Sequence, residues 1–215
     1  MEKEQLNIMY LSDDNYAPFA GVSMTSLFVN NEKISSINVY FIDDNLSAEN
    51  KKKLELTAKK YGRSIFFLDI SKGINKLIEL GAPKYRNSYT TYLKLFAFGV
   101  LPENVDRIFF IDSDSVIVGD LSEIITIDME GKTIAAVKDG LTHPYKIMLG
   151  YPEEDSWYNM GVMLVDVKKW KTEHCEEKII QQLKQRNAYV AVDQDLLNIT
   201  QHGNIFTLHP KYNAT

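Results

Sequence analysis

The chain has 215 residues, 45% hydrophobic and 25% charged side chains, and a formal net charge of −5. That length suffices for one α/β domain that buries roughly 70% of its unfolded surface without staples, and the single cysteine, Cys175, excludes an intrachain disulfide and suits a reducing compartment. The acidic balance excludes non-specific nucleic-acid binding, which needs a basic footprint. No apolar stretch reaches ~18 residues or forms a secretory core. The expectation is a cytoplasmic protein, with peripheral contact at the cytoplasmic membrane face left open.

In chain order, residues 6–11 are an apolar run ending in Ser12-Asp13-Asp14-Asn15-Tyr16, a strand followed by a polar turn. Residues 18–30 predict a helix with Phe19, Val22, Met24, Leu27 and Phe28 on one face. A strand over 37–42 ends at Asp43-Asp44. A helix over 47–61 follows, with Ser47 as N-cap and a lysine-rich exposed face. Residues 64–70 form a third strand and 88–99 a helix carrying Tyr92, Leu95 and Phe96. The most apolar strand region spans 107–118, interrupted only by Asp112-Ser113-Asp114-Ser115. Further strands are expected at 133–137 and 161–167, a charged helix at 168–186 and a short helix at 193–200. Alternating strands and helices predict a parallel sheet covered on both faces, with ligands at the carboxyl ends of its strands. No repeat or linker divides the chain, so residues 1–215 are expected to form one domain.

Ile108-Phe109-Phe110-Ile111 suits a strand buried on both faces. In an extended chain Asp112 and Asp114 would point to one side. Two crowded carboxylates repel, and one takes up a proton unless a cation joins them. All-oxygen ligation points to Mg²⁺ or Mn²⁺. A plain turn, with one Asp capping and the other solvated, is the alternative. The same string also suits a haloacid-dehalogenase-type phosphatase, with Asp112 as nucleophile and Asp114 as general acid. Against that, three strand–helix units precede the motif and no later strand ends in paired acids.

Other polar groups flank this pair. Asp13, Asn15 and Tyr16 could read and stack a base, or form an Asx turn and a helix cap. Asn159, before the apolar run 162–165, could bond a sugar hydroxyl or its own backbone. Asp193 reads as an N-cap, or with Gln194 as an acid and amide aimed into a cleft. The four histidines show no metal-ligand spacing, and Cys175 sits in a charged helix read as exposed, incidental to catalysis.

Asp13-Asp14-Asn15-Tyr16, Ser88-Tyr89-Thr90-Thr91-Tyr92, Ile111-Asp112-Ser113-Asp114, Tyr158-Asn159-Met160-Gly161-Val162, Asp193-Gln194-Asp195 and Pro210-Lys211-Tyr212-Asn213 occur in an order and spacing that resembles family 8 glycosyltransferases. The resemblance implies a GT-A fold: a Rossmann-like, mostly parallel central sheet with helices on both faces. It further implies a UDP-hexose donor, Mn²⁺ (or Mg²⁺), retention at the anomeric carbon, and a carbohydrate, glycolipid or glycoprotein acceptor. By position, Asp13, Asn15 and Tyr16 would hold the uridine, Asp112 and Asp114 the metal, and the backbone near Ser113 the ribose. Asp139, Asn159, Asp193 and Gln194 would surround the hexose, with Asp193 or Gln194 the candidate nucleophile. Lys94 stands where the family usually has Arg, keeping the charge without the bidentate fork. The family pattern continues into a His-x-x-Gly-x-x-Lys-Pro-Trp segment that this sequence does not contain. A nucleotide-sugar-binding domain without turnover is therefore a further reading.

Overall fold

A computed structural model of the chain describes residues 5–85, 87–140, 143–185 and 189–214. The first half alternates as expected, with α3 an element the sequence reading did not include: β1 (Gln5–Asp13), α1 (Ala17–Asn30), β2 (Ser36–Asp44), α2 (Ala48–Lys60), β3 (Ser64–Leu68), α3 (Ser71–Glu79) and α4 (Thr90–Ala97). The second half holds β4 (Arg107–Ile111), α5 (Ser122–Thr126), β5 (Ile134–Lys138), α6 (His143–Met148), β6 (Tyr158–Asp166), α7 (Val167–Thr172), α8 (Cys175–Gln185), α9 (Val192–Thr200) and β7 (Ile205–Thr207). Single 3₁₀ turns at Phe98–Val100 and Pro210–Tyr212 follow α4 and β7.

The strands form one sheet in the order β3-β2-β1-β4-β6-β5-β7. Six run the same way, and β6 alone is antiparallel to its neighbours β4 and β5. The expected α/β, mostly parallel architecture is therefore present. Alternate residues of β4 feed cores on opposite faces: Ile108 and Phe110 join one, Phe109 and Ile111 the other. Fully burying such side chains stabilises the fold by ~1.5–3 kcal/mol each. The chain leaves β1 toward β2 on one side, while β4 pairs on the other at Ile8 and Met9. This reversal opens a crevice between the carboxyl ends of β1 and β4, where an open α/β sheet takes its ligands.

Several boundaries differ from the sequence reading. The strand region 107–118 ends at Ile111, because Asp112 opens a turn closed by the Ser115 N–H donating to its carbonyl at 3.1 Å. The acidic pair thus sits on a turn, not an extended chain. The helix read over 88–99 starts at Thr90, where the Ser88 hydroxyl accepts from the Thr90 N–H at 3.0 Å. The helix read over 168–186 is two helices, parted at His174, whose φ of 54° is left-handed; Arg186 lies outside the described residues. Cys175 is buried, not exposed, and burial pushes its thiol up to about 11. In α1 the inward stripe is Ala17, Ala20, Met24, Leu27 and Phe28. Phe19 and Val22, expected beside Met24, face outward, because one residue's step turns a helix by about 100°. No helix among the described residues is long and apolar enough to cross a membrane.

The segment after Asp114 is tied to α1. The Ser26 hydroxyl accepts from Ile117 N–H at 2.9 Å, and the Asn30 amide donates to the Ile117 carbonyl at 2.9 Å. Buried Asn31 donates to the Gly119 carbonyl at 3.3 Å and accepts from Leu121 N–H at 2.7 Å. Replacing Asn31 by Ala leaves a buried N–H and carbonyl without their partner, at a cost of about 1–3 kcal/mol. Urea unfolding of Asn31→Ala should show a lower midpoint with an unchanged m value.

Candidate active site

Two turns at the ends of β1 and β4 build the site. In the first, the Asp13 carboxylate accepts from Tyr16 N–H at 2.9 Å and from the Asn15 amide at 3.5 Å, an Asx turn. Asp14 reaches instead to α2, accepting from Ser47 N–H at 2.7 Å and the Asn50 amide at 2.8 Å. These bonds, the Ser47 N–H foremost, hold its carboxyl below the usual range. The second turn is fastened to the first strand by the Ser113 hydroxyl, which donates to the Leu11 carbonyl at 2.6 Å.

Between the turns lies a cleft of about 450 Å³ whose lining includes Asp13, Tyr16, Lys94, Asp112, Ser113, Asp114 and Asp193. A cavity of about 210 Å³ adjoins it, with Asn159, Gly161 and Gln194 in its wall. Tyr85, Thr91, Lys94, Asp112 and Asp193 border both. Nine of the eleven residues singled out from sequence therefore meet here. Asn15 lies exposed in its turn and lines neither space, and Asp139 lines neither but accepts from the Gln194 amide.

Lys94 occupies the junction, 4% exposed. Its ammonium is ion-paired with Asp193, donates to the Met160 carbonyl at 2.9 Å and sits 4.6 Å from the Phe110 ring centre. Burial opposes that charge, and the carboxylates of Asp193 and Asp112 more than offset it, so its pKa lies above the ordinary value. The contact to the carboxylate is direct even without an arginine fork. Asp112 is half-buried and pushed up to about 6: burial raises it most, Lys94 opposes, and the charges of Asp193 and Asp114 add to the rise. Directly opposite, Gly161 N–H bonds Asn159 Oδ1 at 2.8 Å, and the Gly161 carbonyl accepts from Asp112 N–H at 2.8 Å. A Cβ on Gly161 would fall 2.6 Å from Asp112 Oδ2, so only glycine leaves that carboxylate its place.

The first turn of α9 divides its acids. Asp195, not Asp193, reaches back to the helix start, accepting from Val190 and Ala191 N–H groups at 3.1 Å each and from the Tyr145 hydroxyl. Asp193 is thereby free to face Lys94. Gln194 is held at both ends: its oxygen accepts from Met160 N–H at 3.2 Å and its nitrogen donates to Asp139 at 3.0 Å. The Asn159 oxygen also accepts from the Asn213 amide at 2.8 Å, which leaves the Asn159 NH₂ end to donate elsewhere. Sequence reasoning gave no role to Gly161, Asp195, Tyr85 or Asn213. The Asp-Gln-Asp string held the signal for Asp195, since either acid could cap the helix.

A divalent cation fits the Asp112–Asp114 turn chemically. Both donors are hard carboxylate oxygens, and burial foremost, with the charges of Asp193 and Asp114, disfavours the ionised form of Asp112, which a bound cation would favour. Among the described residues no group of three or more His, Cys, Asp or Glu side chains is placed to hold a metal.

The sequence model of the glycosyl transferase family 8 matches residues 7–215. General stress protein A of Bacillus subtilis is 29% identical over all of this chain, which spans 76% of that protein. The lipopolysaccharide 1,2-glucosyltransferase of Escherichia coli K12 is 32% identical over 98% of this chain, which spans 62% of its length. Among solved structures, the galactosyltransferase LgtC in complex with donor and acceptor sugar analogs superposes with a TM-score of 0.79 at 23% identity, covering 95% of this chain and 74% of that one.

The raised Asp112 pKa links its charge to stability. Its contribution is fully present below the ordinary carboxylate pKa and is lost as pH rises through about 6, a loss on the order of 2–3 kcal/mol. Metal-free Asp112→Asn should therefore melt several degrees above the unsubstituted protein at pH 7.5, with about half that gain at pH 5 and little at pH 3, by scanning calorimetry in the presence of a chelator.

Proposed function

The chain belongs to glycosyl transferase family 8, a hexosyltransferase enzyme of GT-A fold, and on that premise we propose that it moves glucose or galactose from a UDP-sugar to a carbohydrate, glycolipid or glycoprotein acceptor. The carrying observation is the charge cluster Lys94–Asp193–Asp112 at the junction of two adjoining cavities. A nucleoside diphosphate suits the larger space and a hexose the smaller, with the scissile bond between them. The phosphatase reading falls with the family assignment.

In this reading Tyr16 stacks on the uracil, Asp13 and Asn15 accept and donate at its edge, and the backbone at Ser113 meets the ribose. Asp112 and Asp114 would hold Mn²⁺ or Mg²⁺. When bound, that cation supplies Lewis-acid neutralisation of the departing phosphate. Lys94 adds a buried positive charge beside it. Asn159 donates to a sugar hydroxyl, while Asp139 and Gln194 shape the far wall.

A double displacement needs a nucleophile beneath the ring, as in retaining glycoside hydrolysis. Gln194 is a neutral amide with its oxygen engaged by Met160 N–H, and Asp193 is ion-paired with Lys94. Both arrangements weaken nucleophilicity and support a front-face route, in which the leaving phosphate assists the incoming hydroxyl. In this reading the domain works in the cytoplasm.

The reading without turnover rests on the engaged state of both nucleophile candidates, Gln194 bonded to Met160 N–H and Asp193 ion-paired with Lys94. UDP should raise the melting temperature only with Mn²⁺ under either reading; a shift equal with and without the metal sinks both. Release of UDP from UDP-glucose or UDP-galactose separates them. Asp112→Asn should abolish Mn²⁺-dependent turnover, and near-native activity would overturn the metal assignment. Gly161→Ala pushes the Asp112 carboxylate aside and should weaken Mn²⁺ affinity by about 10–100-fold, as displaced ligand support does elsewhere, with the far-ultraviolet circular dichroism unchanged.

A further inference from the structure

Helix α1 turns an apolar stripe outward. Phe19, Val22 and Val29 are 55%, 59% and 48% exposed. Val22 and Val29 border one shallow groove with Pro18, Gly21, Thr25 and Thr57 of α2. The stripe begins at the active-site cleft, because the Tyr16 ring that lines the cleft lies 5.4 Å from the Phe19 ring. Scattered apolar residues on a surface are ordinary, but a continuous stripe rimmed by polar groups marks a contact face.

What lies beside the stripe identifies the partner. Helix α2 packs against α1, with Leu54 where a Cβ added to Gly21 would just touch it. Its outer surface exposes Lys52, Lys53, Lys59 and Lys60 together with Leu56. The helix carries five lysines against two glutamates, in a chain whose net charge is −5. Positive charge is thus gathered next to the exposed apolar stripe while the rest of the molecule is strongly acidic. A second copy bound through the same face about a two-fold axis would set these lysines against their counterparts. An anionic lipid surface matches both properties: headgroups meet the lysines and the acyl boundary receives the apolar side chains.

We propose that the α1–α2 face docks on an anionic membrane surface, seating Phe19, Val22 and Val29 at the headgroup–acyl boundary with the α2 lysines among the headgroups. The mouth of the cleft at Tyr16 then stands beside the bilayer. That this brings a lipid-borne acceptor within reach rests on the transferase reading; the docking itself does not.

Co-sedimentation with vesicles tests it. The protein should sediment with phosphatidylcholine vesicles containing phosphatidylglycerol, not with phosphatidylcholine alone, and should be released by salt. Val22→Gln with Val29→Gln, and separately Lys52→Glu with Lys59→Glu and Lys60→Glu, should each reduce partitioning on the order of tenfold or more, since single lysines at such a surface count for about fivefold each. Phe19 is left in place because it packs on Tyr16. Both variants should keep the native melting temperature and the Mn²⁺-dependent shift with UDP. Equal partitioning to the two vesicle types, or variants that bind as the unsubstituted protein does, would overturn the proposal. So would concentration-dependent dimers in ultracentrifugation that the valine variant abolishes, which would assign the face to a second copy. Vesicle binding without any UDP response would sink the transferase reading and leave the docking intact.

Discussion

Lys94 carries its charge in the interior, and the geometry around it follows from that. A buried ammonium is tolerated only when paired and hydrogen-bonded. Asp193 supplies the ion pair, the Met160 carbonyl a neutral acceptor, and the Phe110 ring a favourable face. These partners come from α9, β6 and β4, so one charge fixes three elements that the sequence holds far apart. Removing a partner from such a group costs about 3–5 kcal/mol in comparable interiors. The cluster therefore both orders the fold locally and sets the electrostatics of the cleft.

Asp112 completes the arrangement from the other side. It is near enough to Lys94 to be stabilised by it, yet burial and two neighbouring carboxylates leave it short of positive charge. Its place is kept by the absence of a side chain at Gly161 and by the paired backbone bond between the two residues. The antiparallel run of β6 matters here. Because β6 opposes β4 in direction, its beginning, at Asn159 to Gly161, lies beside the end of β4 and not at the opposite edge of the sheet. A parallel β6 would carry that segment away from Asp112.

The same logic separates the acids of α9. Asp195 accepts from the two N–H groups just before the helix and is buried in doing so, which leaves Asp193, two residues earlier, to face the cavity. Gln194 between them is locked between Met160 and Asp139. Three consecutive polar residues thus take three directions, a division that depends on where the helix begins.

Much of this was legible from sequence. Apolar periodicity located six of the strands, the antiparallel β6 among them, and most of the helices, and missed the short β7 together with α3, α5 and α6. The run 108–111 revealed a strand buried on both faces, and the ordered motifs named nearly every residue that lines the cleft. Local pattern determined these because apolar spacing and capping chemistry act over a few residues. Tertiary structure alone decided the rest. The direction of β6 and its insertion between β4 and β5 depend on contacts across 50 residues or so, which no local period encodes. The outward turn of Phe19 and Val22 was set by which stripe of α1 met the sheet. The break at His174 and the burial of Cys175 followed from packing α8 on the core. That Ala191, and not Asp193, is the N-cap, with Asp195 reaching back to the residues before it, required the start of α9 to be fixed by its neighbours. The acidic pair was evident as residues, but its turn, its shortfall of positive charge and the glycine that gives it room arise only where β1, β4, β6 and α9 converge.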